Sequence, residues 1–290
     1  MEFHLKFSTG VNQYKIALAP TEKDELVPLS ETLYFWNKDK YPRPYDSTIF
    51  GEGKEAGISL RPRDYIMGYV QQHLDRWQLY HFHDTSPGSP MKATADINDN
   101  RYLRPDGSNL AAFLYYLREK HTASYNLIRR TVQHVAPFFD DFQLHEQKLN
   151  PTKIRLEWKH KKSTAYFDVS SLSDGTLRFI ALATLFLQPE PYLPSVIIVD
   201  EPELGLHPFA ITLLASLVNQ AKEKKQVILS TQSSLLLDYF RPEDVLVADL
   251  VDGSTQFTRL GSKDLASWLE EYSLGQLWEK NEIGGRPTSG

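Results

Sequence analysis

The feature that most restricts this chain is the run Val196-Ile197-Ile198-Val199, which stops abruptly at Asp200-Glu201-Pro202. Four consecutive β-branched residues favour a strand buried on both faces, so 195–199 is read as such a strand. Helical spacing flanks it over 175–187 and 208–222, and a second short apolar run follows at 227–229. From residue 171 onward the order is therefore helix, strand, helix, strand. That alternation predicts an α/β fold whose parallel sheet is covered by helices.

The rest of the chain divides by pattern. Residues 1–36 alternate apolar and polar positions, at Phe3, Leu5 and Phe7 and again at Tyr14, Ile16 and Leu18, with a Gly-containing turn over 8–12. An antiparallel β segment is expected there. Residues 37–108 are read as a loop-rich insertion. Within it 37–63 is rich in Pro, Gly, Lys and Tyr without a period and reads as a long loop, a helix is expected over 63–77, and a short strand over 79–82. Apolar spacing over 109–120 and 124–135 predicts a helical hairpin, and 109–150 is read as a helical subdomain. Alternation over 153–158 and 164–169 predicts two strands leading into the core region 151–290, which closes on a hairpin of 245–250 and 255–260 across Asp252-Gly253. At roughly 100–200 residues per domain, 290 residues accommodate two domains, or one large α/β domain with an insertion.

Composition removes several classes of function. With 41% hydrophobic and 24% charged residues the chain is neither a disordered nor a fibrous one. No run approaches the roughly 18 consecutive apolar residues of a membrane helix, and the N-terminal residues lack the apolar centre of a secretory signal. The absence of cysteine excludes disulfides, thiolate zinc sites and iron–sulfur clusters, and it fits a reducing cytoplasm. A net charge of −5 gives no whole-protein attraction to nucleic acid.

Three polar clusters carry the chemistry. A buried strand ending in Asp200 and Glu201 places two carboxylates at the C-terminal edge of a sheet, where ligands of open α/β sheets bind. One such carboxylate can hold magnesium while the next deprotonates a water. Leu172-Ser173-Asp174-Gly175-Thr176 precedes the apolar helix, and a serine hydroxyl with a glycine amide at a helix N-terminus suits an anion, although an ordinary helix cap is equally served. Leu229-Ser230-Thr231-Gln232-Ser233-Ser234 stands where the next strand stops and, taken alone, reads as a turn.

Together these phrases resemble the C-terminal half of an ATP-binding-cassette head. More narrowly, 109–287 looks like the AAA-type core of the RecF-like and structural-maintenance-of-chromosomes-like ATPases, on Leu-Ser-Asp-Gly-Thr-Leu-Arg-Phe, Asp-Glu-Pro-Glu-Leu-Gly-Leu-His-Pro and Ser-Thr-Gln-Ser. The resemblance implies a P-loop NTPase-like fold that uses ATP and Mg2+. It places Ser173 and Gly175 in the signature motif, Asp200 at the end of Walker B holding magnesium through water, and Glu201 as catalytic base. Residues 204–207 match the D-loop, and Gln232 takes the switch position near the γ-phosphate. It further implies heads that pair around ATP as a homodimer or heterodimer, in DNA repair or phage defence, with DNA or an effector protein as partner and no membrane.

One element of that family is not in the sequence: the phosphate loop G-x-x-x-x-G-K-[ST]. Gly53-Lys54 comes nearest, but Thr48 stands at the first glycine position, and Glu55 after the lysine would repel phosphate. Since Met1 opens what looks like the strands after that loop, a truncated product or shifted start is expected, with poor ATP binding by the chain alone. The competing reading is a non-catalytic subunit that lends its signature surface to a phosphate-loop-bearing partner. A metal-dependent nuclease is disfavoured, because no further carboxylate motif stands out. His73, His81, His83 and Asp84 lack an i, i+4 histidine pair and are read as loop residues rather than a metal cluster. Lys38, Lys40, Arg43, Arg61 and Arg63, interleaved with Tyr41 and Tyr45, are read as a solvated insertion in preference to a nucleic-acid track. Trp158, Trp268 and Trp278 are expected as core or interface anchors.

Overall fold

The computed structural model describes residues 1–7, 11–23, 25–60 and 65–285. Part of the expected turn at 8–12, the start of the helix expected over 63–77, Arg61, Arg63 and the end of the 109–287 resemblance lie outside the described residues. Contacts divide the chain into two units, Met1–Gln78 and Leu79–Gly290.

In the first unit β1 (Glu2–Phe7), β2 (Asn12–Pro20), β3 (Leu26–Phe35) and β4 (Tyr45–Ile49) form one antiparallel sheet in that order, followed by α1 (Gly57–Leu60) and α2 (Tyr65–Leu74). Phe7, Tyr14, Leu33 and Ile49 from the strands pack with Ile58, Met67 and Val70 from the helices. Glu31 is buried among them at 1% exposure. Its carboxylate accepts from the Tyr14 hydroxyl at 2.8 Å and from the backbone N–H groups of Gly57 and Ile58, so it satisfies orphan donors at the start of α1.

The long loop expected over 37–63 is corrected by β4 and α1. In β4 only Ile49 is buried, so the strand carries no alternation to read, and its place is set by pairing with β3 from Glu31↔Ile49 to Phe35↔Tyr45. The division between units also falls inside the range 37–108.

The second unit opens on the end of β5 (Trp77–Tyr80). It continues through β6 (Ala95–Asp96), α3 (Leu110–Lys120), α4 (Thr122–Val135), β7 (Phe139–Gln143), β8 (Glu146–Gln147), β9 (Asn150–Ile154), β10 (Glu157–His160) and β11 (Tyr166–Asp168). Then come α5 (Asp174–Leu187), β12 (Val196–Asp200), α6 (Pro208–Ala221), β13 (Gln226–Ser230), α7 (Ser234–Leu237), β14 (Leu246–Val251), β15 (Ser254–Arg259), α8 (Ala266–Leu269) and α9 (Leu274–Glu279). The α/β class read from the sequence is the one adopted. β12 and β13 pair in parallel from Val196↔Gln226 to Asp200↔Ser230, in a sheet ordered β13-β12-β5.

Helix α5 is buried at every position from Thr176 to Leu187, as expected of a helix that is apolar all round. Thr184 is tolerated there because its hydroxyl donates to the Ile180 carbonyl at 2.8 Å. Among the described residues β13 has no neighbour on its outer edge, and Ile228 is 45% exposed.

Two further readings are corrected. The helical range 109–150 also holds β7 and β8, and β7 joins β10 and β11 in a second sheet. The single strand expected over 153–158 is two, β9 and β10, in different sheets, interrupted where Arg155 turns to Asp168 at 2.7 Å. Of the tryptophans expected as core or interface anchors, Trp158 is buried in the core, while Trp268 is 42% exposed and touches Tyr272. No helix among the described residues is long and apolar enough to cross a membrane.

Candidate functional site

Parallel pairing puts the ends of β12 and β13 side by side, and the chemistry of the chain collects there. The Ser230 hydroxyl donates to Asp200 Oδ1, and the Glu201 N–H donates to the Ser230 carbonyl at 2.9 Å. Glu201 then leaves the strand with φ +37°, a left-handed backbone that a side-chain-bearing residue rarely adopts and that recurs at functional sites. The turn aims its carboxylate at the following loop. Gln232 Nε2 donates to Glu201 Oε1 at 2.9 Å. Asp200 and Glu201 are half-buried and Gln232 is exposed, so the group is open to a ligand.

The sequence-derived residues Asp200, Glu201 and Gln232 are thus joined directly. Ser173 and Gly175 are joined to them only through intermediaries. Ser173 caps α5, its hydroxyl accepting from the Thr176 N–H at 3.2 Å and lying 2.8 Å from the Thr176 hydroxyl. Gly175 sits where a Cβ would lie 2.4 Å from the Gly205 carbonyl oxygen, so a side chain there would push α5 off the turn after β12. Gly205 itself has φ +72°, and within 204–207 the His207 Nδ1 caps α6 by accepting from the Phe209 N–H at 3.2 Å.

Several residues that hold this arrangement were not singled out from the sequence. Arg178, 6% exposed, donates from Nε to the Phe82 carbonyl and from Nη2 to the His83 carbonyl, both at 2.9 Å, and from Nη1 to the Leu204 carbonyl. Burial pushes its pKa down, and the negative charge of Asp174 opposes that. A lone arginine inside an apolar helix was the available signal.

His83, read from the sequence as a loop residue, makes its 2.7 Å bond from Nε2 to the Asp200 carbonyl. A carbonyl only accepts, so Nε2 carries the proton. His81 lies 6.3 Å from His83, ring to ring, and no group of three or more His, Asp or Glu among the described residues is placed to hold a metal ion. Lys92 ties the same segment to α5, donating to the Thr85 carbonyl and approaching Asp174 at 3.6 Å. Glu203 accepts from the Thr231 hydroxyl at 2.5 Å, while its other carboxylate oxygen is buried without a partner.

The donor set fits half of a nucleotide site. Asp200 offers hard oxygen atoms to a divalent cation, Glu201 offers a carboxylate to a water, and Gln232 offers an amide. No Gly-rich run with a lysine for the β- and γ-phosphates accompanies them in the sequence.

A family model described as "AAA domain, putative AbiEii toxin, Type IV TA system" matches residues 6–238. No curated protein sequence matches the chain. Similar solved structures include an SMC head domain from Thermotoga maritima, at 10% identity over 87% of this chain and 75% of that one, with a TM-score of 0.40. An Smc head domain with an extended coiled coil, bound to the C-terminal domain of ScpA and derived from Pyrococcus furiosus, is 13% identical over 90% and 80%, with a TM-score of 0.44. An ATP-binding cassette of an ABC transporter is 14% identical over 85% and 76%, with a TM-score of 0.38.

Proposed function

The chain belongs to the AAA domain family whose model spans 6–238, an ATPase family, and from that premise we propose that it carries the hydrolytic carboxylates of an ATP-dependent head that pairs with another head around the nucleotide. The contact of Gln232 with Glu201, beside Asp200 at the C-terminal edge of a parallel strand pair, is the observation that carries this reading. Asp200 would hold magnesium through water, its geometry fixed by the Ser230 hydroxyl. Magnesium, when bound, neutralises charge developing on the phosphate oxygens.

Glu201 acts as the general base for the attacking water. Gln232 holds the Glu201 carboxylate in place and offers its amide to that water or to a phosphate oxygen, but unlike the histidine common at this position it cannot carry a proton. Ser173 and the N-terminus of α5 face the γ-phosphate of the opposing head, and Gly175 lets α5 approach the 204–207 turn closely enough to share its movement. A phosphate loop must come from sequence outside these 290 residues or from a partner chain. A cytoplasmic location, a role in DNA repair or phage defence, and DNA or an effector protein as partner belong to the same reading.

The absence of that loop motif from the sequence favours a second reading, a non-catalytic subunit that lends Ser173 to a loop-bearing partner. The Glu201 to Gln232 contact speaks for hydrolysis instead. Magnesium-dependent phosphate release decides between the two when measured on this chain joined to a phosphate loop. Gln232→Ala is expected to slow release about tenfold or more at unchanged ATP affinity. Release that ignores the substitution would remove Gln232 from the site.

A further inference from the structure

We infer that Glu203 is the positioning residue that sets Gln232 against Glu201, acting through the hydroxyl of Thr231. The inference rests on the reading of Glu201 and Gln232 as the hydrolytic pair, and it concerns what keeps that pair in register.

Thr231 to Ser233 belong to no helix or strand, so nothing in the ladder of β13 dictates where Gln232 points. Their shape comes from side chains. The Thr231 hydroxyl has one proton, and it goes to Glu203 Oε1 at 2.5 Å, a short charge-assisted bond. With that proton committed, the same oxygen accepts from the Ser233 N–H at 3.0 Å. Ser233 in turn caps α7, its hydroxyl accepting from the Leu236 N–H at 3.2 Å. The Gln232 N–H stands 3.4 Å from the same carboxylate oxygen of Glu203. The carboxylate therefore holds Thr231 and the Gln232 backbone directly and Ser233 through the Thr231 hydroxyl, and the Gln232 side chain is left free to reach Glu201.

The other end of this clamp is equally fixed. The Leu204 N–H donates to the Glu201 carbonyl at 3.1 Å and the Leu206 N–H to the Glu203 carbonyl at 2.9 Å, which winds 201–206 into a tight turn. Arg178 holds the Leu204 carbonyl from α5. Glu203 thus stands between the turn that carries Glu201 and the loop that carries Gln232. Its second oxygen is buried with no hydrogen-bond partner, so the first oxygen alone carries the contacts to the 231–233 loop.

Backbone 15N relaxation on this chain tests the inference. Thr231, Gln232 and Ser233 are expected to show order parameters near the rigid value of about 0.85, falling below about 0.6 in Glu203→Ala and in Thr231→Val. Glu203→Gln keeps an acceptor for Thr231 and is expected to stay close to the parent. If Glu203→Ala does not fold, Thr231→Val and Glu203→Gln carry the test. Unchanged order parameters at 231–233 would overturn the inference, and so would an equal loss across β12 and α6. In the form joined to a phosphate loop, Glu203→Ala is expected to lower kcat about tenfold with KM for ATP unchanged, and Glu203→Gln to restore it. A loss confined to KM would also overturn it. A parent protein that turns over no ATP would overturn the hydrolytic reading instead, and the relaxation result would still decide the role of Glu203.

Discussion

Arg178 donates to the carbonyl of His83 at 2.9 Å, and the imidazole of His83 reaches the carbonyl of Asp200 at 2.7 Å. Helix α5 is thereby fastened to the end of β12 through a segment more than a hundred residues upstream of that strand. Arg178→Met keeps the aliphatic stem and leaves the carbonyls of Phe82, His83 and Leu204 without the guanidinium donor. A loss of about 2–4 kcal/mol is expected, read as a fall in Tm of about 5–12 °C. Arg178→Lys is expected to be destabilising as well, since one ammonium on a different stem cannot reproduce the fork. An unchanged Tm in both variants would mean that the network does not hold these elements.

The pH dependence of stability should show an alkaline limb. Burial, and then the carboxylate of Glu31, hold the Tyr14 hydroxyl well above the usual phenol range. Burial, and then Asp141 at 2.7 Å, do the same for Tyr125, and burial does so for Tyr80. A folded pKa raised above the unfolded value gives stability that is complete below about pH 10 and is lost as pH rises further. Thermal unfolding followed from pH 8 to 11 should therefore show a falling Tm. Tyr125→Phe should cost about 1 kcal/mol at pH 8 and flatten that fall. A Tm that rises with pH above 10 would contradict the assignment.

What the sequence disclosed and what it hid follow from the range of the interactions. A parallel strand such as β12 announces itself locally, because burial on both faces demands consecutive apolar residues. Asp200 and Glu201 were legible as the polar end of that strand, whereas Gln232, just past the partly exposed β13, was picked out only by the family resemblance. The partners of Arg178 were not, since they are backbone carbonyls at residues 82, 83 and 204, and a carbonyl acceptor leaves no mark on residue identity. β7 was hidden for another reason. Its buried residues Phe139 and Phe142 are three apart, which mimics a helix, because the register with β10 shifts between Lys159 and His160. β4 shows nothing but Ile49. Glu203 and Thr231 lay inside recognised phrases, yet their pairing appears only once β12 and β13 are set in register.

The proposed pairing of heads around ATP can be separated experimentally from nucleotide binding by one head. In a form carrying a phosphate loop, ATP with magnesium is expected to raise the mass seen by light scattering towards that of a dimer. Ser173→Arg should abolish the rise while nucleotide binding persists, because the bulky cation occupies the space the opposing head must enter. Mixing Ser173→Arg with a variant lacking the loop lysine should restore part of the hydrolysis. If mixing restores nothing despite proven subunit exchange, the signature does not act alone across the interface.

Rates of phosphate release and ATP affinity, measured together on Glu201→Gln in the phosphate-loop-bearing form, test the account most directly. Glutamine keeps the shape and the contact with Gln232 but cannot take a proton. Hydrolysis is expected to fall by about a hundredfold or more with ATP binding retained. A Glu201→Gln protein that hydrolyses ATP at the parent rate would contradict the assignment of Glu201 as the base.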